Sequence, residues 1–469
     1  MIKNQRQQFA MGVTIILVLS WLLAGCGTPN RPPSPTPTKS VAPISTPTAR
    51  PTLTATTTPV SHEVFTVELA ILDNIKAYGF NPNPAINGGL GGLFINWRYG
   101  SRPLQTNVNG SGKTDESSGA DVRHDDLTEL RYLHNLWLYK VMNPGDTSFD
   151  GELKRYTAIV KNEFADADNE RGWIYDIFMD IYDLSHDTFY KDSALSLAKN
   201  YAKDYDPQLG TIYKKNSTTN MLGSYRVDNV LESGCALLQA GTLTRNADWI
   251  QKGKNILKFL YAHAYIARYH TFPAQIGPVV QLNGQLNPEQ SFYTGVSNHN
   301  YSVDGSLLRM GNISQIIISL LDTYKVTHQQ DYLNKAIDLL DPLSLPGNTL
   351  GMWDNTHGGY FYGLKFSGSS PSQPGTATVD TERKEAGRQA IMLQAYHLAN
   401  QLTNNRYKEM EALMLNAVLK HIYAPSIRGV TYVVNADWSF QRFKNGTYNN
   451  MVTTEAMGAE LESLFSLSR

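Results

Sequence analysis

Apolar residues recur at three- and four-residue spacing along most of the chain after residue 61. The stretches so marked begin near His62, Arg123, Gly151, Gly172, Thr188, Arg226, Ala247, Val303, Gln330, Thr381, Arg406 and Thr453. That period places apolar side chains on one stripe of an α-helix, so the pattern predicts twelve helices. They are of two kinds. Stretches such as 390–398 and 316–321 are apolar nearly all round, whereas 151–164 and 249–263 carry charge along one side. The first kind is the signature of a buried helix and the second of a half-exposed one. Alternation of the two is what a closed ring of six helical hairpins requires, with an inner and an outer layer.

A Gly-aromatic turn precedes four of the apolar helices. Gly91-Gly92-Leu93-Phe94 comes before the run 127–139, headed by Asp125 and Asp126. Gly210-Thr211-Ile212-Tyr213 comes before 235–240, headed by Asp228 and Glu232. Gly358-Gly359-Tyr360-Phe361 comes before 390–399, headed by Glu382 and Glu385, and Gly429-Val430-Thr431-Tyr432 before 457–465, headed by Glu455. A repeated unit of this kind cannot bury its apolar face alone, so the copies must pack on one another. It also delivers carboxylates to equivalent places at the helix starts.

The first 60 residues break the pattern. Lys3 and Arg6 precede an apolar run over 11–23 and then small residues, the layout of a secretory signal and too short for a permanent membrane span. Leu23-Ala24-Gly25-Cys26 resembles the lipobox of bacterial lipoproteins. That resemblance implies lipidation of Cys26 and anchoring to the outer face of the bacterial membrane; the alternatives are an ordinary secreted protein cut nearby and a short uncleaved anchor. Residues 27–60 are largely Pro, Thr, Ser and Ala, the composition of a semi-stiff tether. The chain therefore divides into a signal peptide (1–25), a linker (26–60) and one large repeat-built domain (61–469). With Cys26 lipidated, Cys235 has no partner in the chain, so no disulfide framework is expected. A formal net charge of −1 and the absence of a Lys/Arg-rich block argue against a nucleic-acid partner. No EF-hand spacing, His/Cys cluster or phosphate-binding Gly-rich loop occurs, so neither metal nor cofactor is expected. A monomer is expected.

The helix alternation and the repeat together resemble the six-hairpin, or (α/α)6-toroid, carbohydrate enzymes over roughly residues 61–469. The resemblance implies an all-α fold and a carbohydrate substrate. Asp354-x-x-His357-Gly358-Gly359-Tyr360-Phe361, followed by residues 384–389 and a helix, is similar to the turn-helix unit of the N-acylglucosamine 2-epimerase and cellobiose epimerase family. Asp125-Asp126 at the head of an inner helix is similar to the paired aspartates of family 76 glycoside hydrolases, the α-1,6-mannanases. Three activities stay open: a glycoside hydrolase, mannanase-like in its aspartate pair; a sugar epimerase or isomerase; and a noncatalytic glycan-binding lipoprotein. Surface tethering favours the first, since an enzyme meeting polymer outside the cell gains from it, whereas sugar epimerases of this fold are usually intracellular.

Glycoside hydrolysis needs one carboxyl group to protonate the leaving oxygen and another to activate water or attack the anomeric carbon. The acids expected to do so are Asp125, Asp126, Asp228 and Asp304, with Glu382, Glu385 and Glu455 in matching places. The competing role for each is helix capping. Adjacent carboxylates repel and split their pKa values, which singles out Asp125-Asp126, although neighbours on a helix point about 100° apart. Asp304 lies in a polar aromatic loop, 298–305, running into a long apolar helix. The chain holds 26 Tyr, 16 Phe and 7 Trp, many of them in turns, where aromatic faces suit the C–H faces of a pyranose. Substrate contacts are expected from Trp97, Trp173, Tyr225, Trp353, His357 and Arg388, and from His299, the acid/base candidate under the epimerase reading. Tyr213, Tyr360 and Trp438 occupy similar turns, and Arg226 could hold a carboxylate or pair with a nearby acid.

Overall fold

Residues 62–100, 114–115, 120–121, 126–165, 171–212, 225–277, 281–282, 285–286, 290–296, 302–442 and 449–468 are described by a computed structural model of the chain. In chain order the helices are α1 (His62–Asn74), α2 (Asp126–Met142), α3 (Asp150–Glu163), α4 (Trp173–Ser185), α5 (Thr188–Asp204), α6 (Val227–Thr244) and α7 (Ala247–His263). They continue as α8 (Met310–Thr327), α9 (Gln330–Leu340), α10 (Ala386–Gln389), α11 (Ile391–Leu402), α12 (Lys408–Ala417) and α13 (Thr454–Ser466). Helix α10 passes into α11 through Ala390, which keeps helical dihedrals, so the two act as one inner helix.

Helices α2, α4, α6, α8, α10–α11 and α13 pack each on the next, and α13 packs back on α2. The inner ring is therefore closed. Helices α3, α5, α7, α9 and α12 back α2, α4, α6, α8 and α11, and α1 backs α13. This is the all-α (α/α)6 toroid. Burial follows the two kinds of apolar pattern: α6 is buried without a break from Val227 to Gly241, while its outer neighbour α7 buries only Gly253, Ile256, Leu257, Phe259 and Leu260.

Helix ends decide which face of the ring carries the site. The inner helices α4, α6 and α8 end at His186, Arg245 and His328, each in the left-handed conformation that terminates a helix. Asp187 and Asn246 then cap α5 and α7 by accepting the N–H groups of Phe189 and of Asp248 and Trp249. Inner-to-outer connections are thus a few residues long and close one end of the ring. Outer-to-inner connections at the other end are long and contain the Gly-aromatic turns. Gly91 has φ 78°, and a side chain there would put its Cβ 2.5 Å from the carbonyl oxygen of Asn81, so only glycine fits. The inner helix holds two of these turns: Glu129 accepts the N–H of Leu93 at 2.5 Å, and Gln389 that of Tyr360 at 2.8 Å.

Short strand pairs knit these loops together. Residues 451–453 pair antiparallel with 96–98, fastening the two ends of the domain, and 383–385 pair with 433–435. Two expected helix starts are corrected by such pairs. The helix expected from Val303 begins at Met310, because 302–304 and 307–309 are strands paired with 294–296 and 363–365. The helix expected from Thr381 begins at Ala386, after the strand 383–385. Both stretches belong to strand pairs on the rim that run directly into the helical period that follows. Among the described residues, no helix is long and apolar enough to cross a membrane.

Candidate active site

The first turns of the inner helices converge on a cleft at the open end of the ring. Its walls come from every inner helix: Arg131 from α2, Trp173 from α4, Asp228 and Glu232 from α6, Gln315 from α8, Arg388 from α10 and Glu455 from α13, with Arg171 and Arg226 just ahead of α4 and α6. Six helix N-termini point their positive dipole ends the same way, which favours negative charge here.

Asp228 sits at the head of α6, its side chain 6% exposed. Arg226, in extended backbone two residues earlier, donates from Nε to Oδ1 at 3.1 Å and from Nη2 to Oδ2; Asn312 of α8 donates to the same Oδ2. Burial alone would raise this carboxyl, but the Arg226 charge and these hydrogen bonds outweigh it and hold Asp228 below the usual carboxylate range. Glu232 lies one turn further along, on the same face of α6. It is 1% exposed, and its Oε2 accepts the N–H of Trp173 at 3.4 Å. Burial, and then the charge of Asp228, push its carboxyl well above the usual range. One helix therefore presents a carboxylate and a neutral carboxylic acid to the same space.

The opposite wall is an ion-paired pair. Arg388 donates to Oε1 of Glu455 from Nε at 2.9 Å and from Nη2 at 2.8 Å, and stands 3.8 Å from the buried carboxyl of Glu385. Burial would raise Glu455, but Arg388 and the more distant Arg131 and Arg171 keep it below the usual range. Arg131 pairs with Glu462 at 2.9 Å and lies 4.5 Å over the Trp173 ring, covering one face of it.

Of the residues expected from sequence, Asp228, Glu232, Glu455, Trp173, Arg226 and Arg388 meet in this cleft. Asp126 opens α2, an inner helix, but its side chain, like Asp125 and His299, lies outside the described residues, as do Tyr213 and Cys26. The others serve the frame. Asp304 is ion-paired with Lys365 at 2.8 Å and accepts from the N–H and Oγ of Ser306, closing the rim hairpin instead of heading a helix. Trp97 is 0% exposed and donates to Oδ1 of Asn74. Tyr225 packs near Phe259 and Trp353 on Tyr360, both buried. His357 is on the rim beside Asp354, and Trp438 stacks with His421 and has the Lys384 ammonium 4.4 Å from its ring centre. Glu382 is exposed and outside the cleft. Arg131, Arg171 and Gln315 were not expected; nothing in a single sequence marks a mid-helix arginine as facing the ring axis. Among the described residues, no His/Cys/Asp/Glu group could hold a metal ion.

The same architecture occurs in solved carbohydrate enzymes. An unsaturated glucuronyl hydrolase specific for heparin superposes with a TM-score of 0.58 at 13% identity, covering 86% of this chain and 95% of that one. The GH76A alpha-1,6-mannanase of Salegentibacter sp. HEL1_6, as an inactive variant with two consecutive aspartates replaced and in complex with alpha-1,6-mannotetrose, gives 0.55 at 12%, covering 86% and 98%. The family 76 mannosidase Bt3792 of Bacteroides thetaiotaomicron VPI-5482 gives 0.54 at 12%, covering 87% and 98%. At these identities the likeness establishes the toroid. No family model matches the chain, and no curated protein matches it in sequence.

Proposed function

We propose that the protein is a glycoside hydrolase that cleaves a poly- or oligosaccharide lying across the ring mouth. The observation that carries this reading is the Asp228–Glu232 pair, two carboxyls on one helix face with opposite pKa displacements at the point where all six inner helices converge. Environments that push two carboxyls apart define an acid and a base. Glu232, neutral, donates its proton to the glycosidic oxygen as the bond to the anomeric carbon breaks. Asp228, ionised, faces the positive charge that develops on that carbon and takes a proton from the incoming water. Trp173 and Arg388 border the sugar. Asp126 opens α2, an inner helix, and the inactivity of the mannanase variant lacking two consecutive aspartates supports a role for the Asp125-Asp126 pair that resembles it. Lipid attachment at Cys26 would hold the enzyme against polymer outside the cell.

Release of reducing ends from a panel of mannans, glucans and uronate polymers tests the activity. Asp228→Asn and Glu232→Gln are each expected to lower kcat by about 10²–10⁴-fold, the usual contribution of general acid–base catalysis. Cleavage that persists in both variants would remove the pair from the chemistry. Free-sugar interconversion without bond cleavage would instead favour an epimerase; among the described residues no histidine lines the cleft. Cys26→Ser is expected to move the protein from the membrane fraction to the soluble fraction.

A further inference from the structure

A second cavity, of about 390 Å³, opens on the same face of the molecule but outside the ring mouth. Its walls are Asp73, Asn74, Lys76, Tyr78, Tyr99 and Arg428. The volume is in the range of small-ligand pockets, about 300–1,000 Å³. We propose that this rim cavity is a glycan subsite, binding sugar units of the substrate chain away from the bond that is cut; the proposal deepens the glycoside hydrolase reading and rests on it.

Four features point that way. Tyr78 and Tyr99 meet edge to face, ring centroids 5.6 Å apart and planes at 76°, so they form an aromatic corner that presents one ring face and one ring edge. A corner of that shape matches the C–H face and the side of a pyranose. Next to it Arg428 and Asp73 stand 3.6 Å apart, their side chains 43% and 54% exposed. A guanidinium fork and a carboxylate at that spacing offer donors and acceptors together, which is what vicinal hydroxyls require.

The backbone is arranged for this. Arg428 has φ 43°, a left-handed conformation uncommon outside glycine and asparagine. Asn74 holds it there, donating from Nδ2 to the carbonyls of Ile427 and Arg428 at 3.0 and 2.8 Å. Both outer helices flanking the cavity end in π-helical turns, Ile75–Gly79 after α1 and Val418–Ile422 after α12. Such turns are rare and concentrate at functional sites. Here the wider turn after α1 carries Tyr78. Lys76 plays a different part, since its Nζ is engaged by the carbonyl of Ser148 at 2.7 Å.

The cavity is also wired to the mouth. Tyr99 follows strand 96–98, whose partner strand 451–453 leads straight to Glu455 in the cleft. Four steps along the chain lead from Met451, the partner of Arg98, to Glu455, two in the strand and two into α13, a path of at most about 14 Å. A short oligosaccharide spans that distance.

Calorimetric titration of the full-length protein in detergent with α-1,6-mannotetraose and with a glucuronate-containing tetrasaccharide tests the proposal, alongside hydrolysis of both. At least one probe is expected to bind. Tyr99→Ala and Arg428→Lys are expected to weaken it at least about tenfold, while an aryl monoglycoside, too short to reach the rim, is turned over as in the unaltered protein. Asp228→Asn is expected to lower kcat by about 10²–10⁴-fold and keep tetrasaccharide binding. Binding that depends on Tyr99 and Arg428 without any hydrolysis would support the subsite and sink the catalytic reading. Undiminished affinity in both rim variants, equal losses on the monoglycoside and the tetrasaccharide, or no binding of either probe would overturn the subsite.

Discussion

Burial alone would leave both Asp228 and Glu232 protonated, and a single arginine separates them. Arg226 is the group whose charge brings Asp228 down, and the charge so fixed on Asp228 adds to the burial that keeps Glu232 neutral. Replacing Arg226 by Met removes the opposing charge, so the Asp228 carboxyl rises in the direction its burial dictates. The acid limb of the kcat/KM profile is therefore expected to move toward neutral pH, while an Asp228-independent activity would keep its limb. A second buried acid has no arginine. Glu68 of α1 is 0% exposed, neither carboxyl oxygen finds a hydrogen-bond partner among the described residues, and burial lifts it to about 8. Its folded value lies above its unfolded one, so its contribution is complete below about 4.5 and is lost as pH rises through about 8, a change of about 4–5 kcal/mol at most. Glu68→Gln, which has no charge to bury, is expected to unfold at a higher Tm than the unaltered protein at pH 9. At pH 5 the difference should shrink or reverse. Parallel Tm-versus-pH curves for the two proteins would refute the assignment.

Glycine governs how closely the inner helices approach at the mouth. A Cβ on Gly172, ahead of α4, would fall 2.1 Å from the backbone carbon of Glu232, and one on Gly387 of α10 would fall 2.2 Å from the Cβ of Ala456 in α13. Gly172→Ala must therefore push α4 from α6 and carry the Trp173 N–H away from Glu232. Overpacking of this kind costs about 1–3 kcal/mol, and here the loss of stability should come with a fall in kcat larger than that in Gly387→Ala, which disturbs α10 and α13 instead. Equal kinetic effects would mean that the Trp173–Glu232 contact is incidental. These close approaches also mark where sequence reading stops. Helix starts at His62, Thr188, Ala247 and Gln330 were legible because the apolar period is local and, for two of them, an Asp or Asn cap precedes it. Asp228 and Arg388 were legible as helix-head polar residues. Trp97 and Trp353 were not legible as core, since a turn aromatic reads the same whether it faces sugar or the neighbouring hairpin. Arg131 escaped because its inward direction depends on the ring closing around it.

Closure makes the toroid one energetic unit instead of a stack of repeats. In an open array each repeat touches only its neighbours, and removing a terminal repeat leaves the remainder folded. Here α13 is a terminal element in sequence but an interior one in space. It is buried at Thr454, from Ala456 to Leu461 and from Ser463 to Ser466, and packs on α2, α10, α11 and α1. Its loss would expose the apolar flanks of α2 and α11 and strip Arg131 of Glu462 and Arg388 of Glu455. Arg131 would then lose its paired carboxylate, and Arg388 would keep only the more distant Glu385. Truncation after residue 453 is therefore expected to abolish the cooperative urea transition and the near-UV circular dichroism signal altogether. A truncated chain that still unfolded in one sharp step, with an m-value reduced only in proportion to the missing helix, would mean that the hairpins are stabilised pairwise and that the ring's closure holds nothing together. The cleft at the ring mouth would follow the same logic. Its walls come from all six inner helices, so its geometry is a property of the closed ring and should vanish in the same transition as the fold.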